Sequence, residues 1–236
     1  MPHLLLVSTS TVHGTGYLEH CAGEARALFA GAQRIAFVPW ALADRDSYAD
    51  NAASAFAQWD LELLSVHREQ DPVALVENVD GIFIGGGNTF RLVRELHAFG
   101  LVEPIRRRVI GGMPYMGSSA GSNVASPTLC TTNDMPIVQP STFDCLDLVP
   151  FQINPHYIDP DPASEHMGET RDRRLAEYLE ENDREVIALR EGAMLRVEGP
   201  SMRLLGAAGG KRFRRDAAPA ELAAGDDLSD LLKRSG

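Results

Sequence analysis

Short apolar runs alternating with segments of helical period constrain this chain more than any other feature. His3-Leu4-Leu5-Leu6-Val7-Ser8, Arg34-Ile35-Ala36-Phe37-Val38-Pro39, Leu61-Glu62-Leu63-Leu64-Ser65 and Gly81-Ile82-Phe83-Ile84 each read as a strand. The first is apolar without alternation, as a strand buried on both faces would be. Between these runs, Leu18, Cys21, Ala22, Ala25, Leu28 and Phe29 recur at helical spacing within residues 17 to 30. A second helix is suggested from Ser47 to Gln58, and Asp71-Pro72 supplies an N-cap and a first-turn proline for a short helix to Val79. Strand and helix in strict alternation imply right-handed crossovers, hence an α/β fold with a mostly parallel central sheet flanked by helices on both faces. In such a sheet the functional groups lie beyond the carboxyl ends of the strands.

The rest of the chain extends this pattern. Residues 89 to 110 read as helical with a break near Gly100, and Pro114-Tyr115-Met116 as a strand. Residues 126 to 149, with several prolines and little periodicity, read as an extended loop or short hairpin over the site. Phe151-Gln152-Ile153 and Val186-Ile187-Ala188-Leu189 are further strands, and residues 168 to 181 a charged helix. Met194 to Glu198 and Met202 to Leu205, joined by Gly199-Pro200, suggest a C-terminal antiparallel hairpin near the sheet edge. The tail, residues 216 to 236, is expected to be peripheral, with a short helix from Asp227 to Lys233.

With 236 residues and 44% hydrophobic composition, one domain over residues 1 to 236 with a substantial core is expected. A net charge of -11 argues against nucleic-acid partners and against anionic membrane surfaces. Cys21, Cys130 and Cys145 lack a C-x-x-C spacing and suit reduced thiols in a cytoplasmic protein. Nothing at the N-terminus reads as a signal peptide, and no segment approaches the length of a membrane span.

Chemistry concentrates where strands end. Gly117-Ser118-Ser119-Ala120-Gly121 follows a strand, precedes small residues and matches G-x-S-x-G, in which the central serine sits exposed on a sharp strand-to-helix bend. Ser119 is therefore the candidate nucleophile, and the amide of Ala120 a candidate oxyanion donor. The competing structural reading is a tight junction whose serine caps the helix. A serine hydroxyl needs a base, and a carboxylate to orient that base. His156 follows Asn154-Pro155 at a strand end, with His166 as its competitor. Glu191 also follows a strand, whereas Asp134 lies in the loop Thr131-Thr132-Asn133-Asp134-Met135-Pro136, so either acid remains open at this point. The triple glycine at 85 to 87 lets backbone N–H groups approach a reacting carbonyl, with Gly87 the preferred donor. Phosphate binding there is disfavoured, since no Walker lysine follows and the pattern is not G-x-G-x-x-G.

Five blocks in order carry a resemblance: Gly85-Gly86-Gly87-Asn88-Thr89-Phe90, Ser119-Ala120-Gly121, Thr131 to Val138, Gln152-Ile153-Asn154-Pro155-His156 and Gly168-Glu169-Thr170-Arg171. Over nearly the whole chain up to about Phe213, the sequence resembles the peptidase E, or aspartyl dipeptidase, family of serine peptidases. That resemblance implies a fold similar to the class I glutamine amidotransferase domain, with serine in place of cysteine. It implies Ser119, His156 and Glu191 as a triad, which decides the acid in favour of Glu191, and Gly87 and Ala120 as the oxyanion hole. No metal or cofactor is implied. The implied substrates are short peptides with N-terminal aspartate, whose carboxylate needs a cation, preferably a bidentate guanidinium. Arg171 is the candidate, with Asn88 also assigned to substrate binding. Ser118 and Ser122 depart from some family members, which have tryptophan and alanine there, and a pocket wall of different volume beside the nucleophile is expected from them. A cyanophycinase-like hydrolase of another aspartyl linkage, an esterase and a non-catalytic small-anion binder remain the alternatives, and a homodimer is left open.

Overall fold

The computed structural model describes residues 2–161, 163 and 168–233. Its larger sheet has seven strands: β1 (His3–Val7), β2 (Arg34–Val38), β3 (Glu62–Ser65), β4 (Gly81–Ile84), β5 (Tyr115–Ser118), β8 (Met194–Glu198) and β9 (Ser201–Leu205). They run in the order β3-β2-β4-β5-β1-β8-β9. The five strands from β3 to β1 are parallel, and the β8–β9 hairpin adds antiparallel to β1, closing that edge as its turn-forming Gly199-Pro200 suggests.

Successive side chains of a strand point to opposite faces, so a strand covered on both faces must be apolar at every position. That is how the runs are used. Leu5, Val7, Ile35, Phe37, Phe83 and Met116 pack with α1 (Ala22–Leu28) and α2 (Arg45–Ala57) in one core. Leu4, Leu6, Ala36, Val38, Ile82, Ile84 and Tyr115 join the other with α3 (Pro72–Glu77), α4 (Thr89–Ala98) and α5 (Val102–Ile110). The α4–α5 break falls at Gly100, whose φ of 66° terminates the first helix in the left-handed region.

Two expectations differ from the structure. The strands at 152 and 186 do not extend the main sheet. Instead β6 (Gln152–Tyr157) and β7 (Val186–Arg190) pair in parallel, and with β10 (Gly210–Phe213) and β11 (Ala220–Leu222) they form a second sheet in the order β11-β10-β7-β6. Helix α7 (Arg171–Glu181) covers it through Leu175 and Leu179, which pack on Tyr157, Val186, Ala188 and Phe213. Nor is the tail peripheral: β11 completes the second sheet, and Leu222, Leu228 and Leu231 are buried in the main core. The tail's short helix is a 3-10 turn over Ser229–Leu232. Among the described residues no helix is long and apolar enough to cross a membrane.

Candidate active site

At the carboxyl end of β5 the chain turns abruptly into the single-turn helix α6 (Ala120–Asn123). Ser119 sits in that bend with φ 53° and ψ -112°, a region non-glycine residues avoid and keep only when their surroundings enforce it. The enforcement is visible. The Ser119 amide donates to Val7 O at 3.0 Å, and Ser122 Oγ donates to Val7 O at 2.7 Å, tying the bend to β1. Gly121 passes so close to β4 that a Cβ would lie 2.0 Å from Ile84 O, which excludes any side chain there. Ser119 makes no capping hydrogen bond with its side chain, so its hydroxyl is not spent on the helix.

The hydroxyl instead meets His156. Ser119 Oγ lies 2.9 Å from His156 Nε2, and His156 Nδ1 lies 2.9 Å from Glu191 Oε1. A carboxylate accepts only, so Nδ1 carries the proton and donates to Glu191, leaving Nε2 to accept from the serine. The second sheet delivers both partners. Between Asn154 and Tyr157, β6 carries one more residue than the facing stretch of β7, a bulge that puts His156 at φ 52°. Glu191 follows the last residue of β7, one position beyond the Tyr157–Arg190 pairing. The imidazole–carboxylate pair is open to solvent, with side-chain exposures of 36% and 55%.

The turn after β4 faces this row. Tyr48 OH accepts the Gly86 amide at 2.7 Å, and the tyrosine ring occupies the space a Cβ on Gly85 would need. Gly87 has φ 130°, and a Cβ there would meet Ala41 O at 2.7 Å. The amides of Gly87 and Ala120 donate to no acceptor among the described residues.

Asp134 is not beside the imidazole. Its Oδ2 accepts from Thr89 N and Thr89 Oγ1, each at 2.7 Å, and from Thr132 Oγ1 at 3.1 Å, clasping the start of α4. Asn88 likewise spends its amide on structure: Oδ1 caps α4 by accepting from Arg91 N at 3.1 Å, and Nδ2 donates to Met135 O at 2.9 Å. The same loop braces the bulge, since Asn133 Nδ2 donates to Pro155 O at 2.6 Å and Asn154 Nδ2 donates to Thr131 O at 2.8 Å. Ser118 and Ser122 are fully buried, and Ser122 Oγ is committed to Val7 O and Gly117 O.

Arg171 opens α7 and lines a cavity of about 420 Å³ with Ile158, Asp159, Thr170 and Arg174. Among the described residues no carboxylate lies within salt-bridge distance of it; Glu169 pairs with Arg174 instead, at 3.6 Å. Partial burial, and then the Arg174 charge, lower its pKa below the ordinary guanidinium value, with Asp134 acting in the opposite direction. It remains a cation at neutral pH. His166, the competing base, lies outside the described residues.

Tyr48, Asn133 and Asn154 support the site without having been singled out in the sequence as its residues. Asn133 could have been found, because it lies in the same block as Asp134. Tyr48 carried no signal beyond its place on an apolar helix face.

A strained serine at a strand-helix bend, joined to an imidazole at the bulge of one parallel strand and a carboxylate just past the end of the next, defines a serine hydrolase on an α/β scaffold. The profile of Peptidase family S51 matches residues 4–205, and the chain belongs to that family. A peptidase E of Streptomyces coelicolor is 53% identical over 234 residues, 99% of this chain and 96% of that protein. A probable alpha-aspartyl dipeptidase of Drosophila melanogaster is 45% identical over 235 residues, 98% of each. In fold, the chain is similar to the crystal structure of a peptidase from an acI-B1 actinobacterium, with a TM-score of 0.72 at 17% identity, covering 97% of this chain and 96% of that one.

Proposed function

We propose that this chain is a serine dipeptidase that cleaves dipeptides with an N-terminal aspartate through an acyl-enzyme on Ser119. The observation carrying the reading is the continuous hydrogen-bonded row from Ser119 Oγ through His156 to Glu191. Ser119 Oγ attacks the scissile carbonyl carbon as His156 Nε2 takes its proton, and Glu191 stabilises the resulting imidazolium. The oxyanion is received by the Gly87 and Ala120 amides, whose protons have no competing acceptor among the described residues. The imidazolium then protonates the leaving amine, leaving the aspartyl group as an ester on Ser119. Water, deprotonated by the same imidazole, attacks that ester; the acyl–Oγ bond breaks as the imidazolium returns the proton to Ser119 Oγ, and aspartate is released.

Arg171 would pair with the substrate's β-carboxylate. A half-buried guanidinium without a carboxylate partner of its own among the described residues favours an arriving anion. The family membership and the names of the Streptomyces and Drosophila relatives support this substrate class. Release of leucine from Asp-Leu, Asn-Leu and Glu-Leu tests the reading, with the wild type and Ser119→Ala in parallel. The expected result is turnover confined to Asp-Leu and abolished by the substitution. Full activity of Ser119→Ala, or equal cleavage of all three dipeptides, would overturn it.

A further inference from the structure

The residues in the row belong to separate sheets, so something must hold those sheets in register to a fraction of an ångström. Ser119 follows β5 in the larger sheet, whereas His156 and Glu191 come from β6 and the end of β7 in the smaller one. One dipeptide at the carboxyl end of β1 touches all three segments. Val7 O accepts the Ser119 amide at 3.0 Å, and the Ser8 amide donates to Ala193 O at 3.0 Å. Ser8 Oγ accepts the His156 amide at 2.9 Å and donates to Leu189 O at 2.8 Å. Leu189 and Ala193 stand two residues before and two after Glu191, so Ser8 holds the acid's segment on both sides.

Ser8 is fully buried. Its hydroxyl therefore makes these two bonds without competition from water, and the His156 amide it satisfies would otherwise be left unpaired in the interior. The His156 amide is available to it only because the bulge turns the backbone to φ 52°, taking that N–H out of the ladder with β7. A hydroxyl is the smallest group that can accept from one backbone and donate to the other. Alanine offers neither, and a thiol does both weakly.

We infer that Ser8 is a positioning residue that sets the imidazole of His156 at proton-transfer distance from Ser119 by clamping the bulge of β6 and the end of β7 to β1. This rests on the serine-row reading of the site. The hydroxyl contacts no reacting atom, so its loss acts through the placement of His156. A misplacement of about 1 Å in such a site costs roughly 100-fold in rate.

The test compares Ser8→Ala, Ser8→Cys and Ser8→Thr on Asp-Leu, with the active fraction of each preparation counted by titration of Ser119 with a fluorophosphonate. Ser8→Ala is expected to lower kcat per active site about 10- to 100-fold with KM held within about twofold, because the substrate pocket is untouched. Ser8→Thr, which keeps both bonds, should recover most of kcat. In the proton spectrum, the far-downfield resonance of the His156 Nδ1–H should be shifted or lost in Ser8→Ala and restored in Ser8→Thr. A merely structural role would lower the active fraction and the melting temperature while leaving kcat per active site and that resonance unchanged, and would overturn the inference. If Ser8→Ala does not fold, Ser8→Cys decides: its side chain is close in size, so a wild-type kcat per site there refutes the clamp and an intermediate loss supports it. Ser119→Ala, run alongside, separates the two failures: if it stays active the row itself is wrong, and if it is dead while Ser8→Ala is fully active only the clamp is wrong.

Discussion

Glu191→Gln removes the negative charge opposite His156 while keeping an acceptor oxygen of the same reach, and its cost follows from how open the pair is. At the observed 2.9 Å, full charges would attract by about 1.4 kcal/mol at the permittivity of water and about 6 kcal/mol at an effective value of about 20. With the imidazole 36% and the carboxylate 55% exposed, solvent screening places the pair toward the lower end, about 1.5–3 kcal/mol of transition-state stabilisation. At about 1.4 kcal/mol per tenfold, kcat should fall roughly 10- to 150-fold with KM nearly unchanged. That is well short of the roughly 10⁴ lost when the buried carboxylate of a chymotrypsin-type triad is made an amide. Initial rates of leucine release from Asp-Leu at several salt concentrations make the measurement. The gap between wild type and variant should narrow as salt rises, since an exposed pair is screened. A 10⁴-fold loss independent of salt, or a loss within twofold, would refute the reasoning.

Two further outcomes are expected. Arg171→Met should lower kcat/KM for Asp-Leu by about 10²- to 10³-fold, the worth of two charge-assisted hydrogen bonds, while changing Asn-Leu cleavage less than tenfold; parallel losses on both would remove Arg171 from carboxylate recognition. Asp159 is held well below the usual carboxylate range, chiefly by its hydrogen bonds to Arg190 and then by Lys211. Its contribution to stability is therefore present above the unfolded carboxylate value and lost as pH falls from there toward the folded one. Chemical denaturation from pH 6 down to pH 2 should show a shallower acid decline in Asp159→Asn than in wild type.

The sheet with parallel strands at its centre was legible because burial on both faces forces continuous apolar runs, which β1, β2 and β4 display. The bend at Ser119 was legible because glycine is the only residue that fits where Gly121 passes Ile84 O. What stayed hidden depends on contacts distant in sequence. Nothing in Asn154-Pro155-His156 announces a bulge, because the extra residue exists only relative to β7. The second sheet escaped notice because β6 and β7 have the same apolar character as strands of the first, and strand composition does not name a partner. Asp134 read as an acid for His156 because a carboxylate in a loop gives no hint that three donors of α4 and Thr132 will claim it. The tail's Leu228 and Leu231 are spaced as easily for a surface turn as for the core they enter.

The parallel pairing of β6 with β7 means that base and acid ride on adjacent strands of one small sheet, while the nucleophile is built into the other. A drift of that sheet would carry the imidazole and its carboxylate together, their mutual bond intact, and would open the gap to the serine only by breaking the Ser8 bonds to His156 N and Leu189 O. Base and acid are thus oriented as one unit, and reactivity hangs on the single distance that the two sheets hold between that unit and the nucleophile.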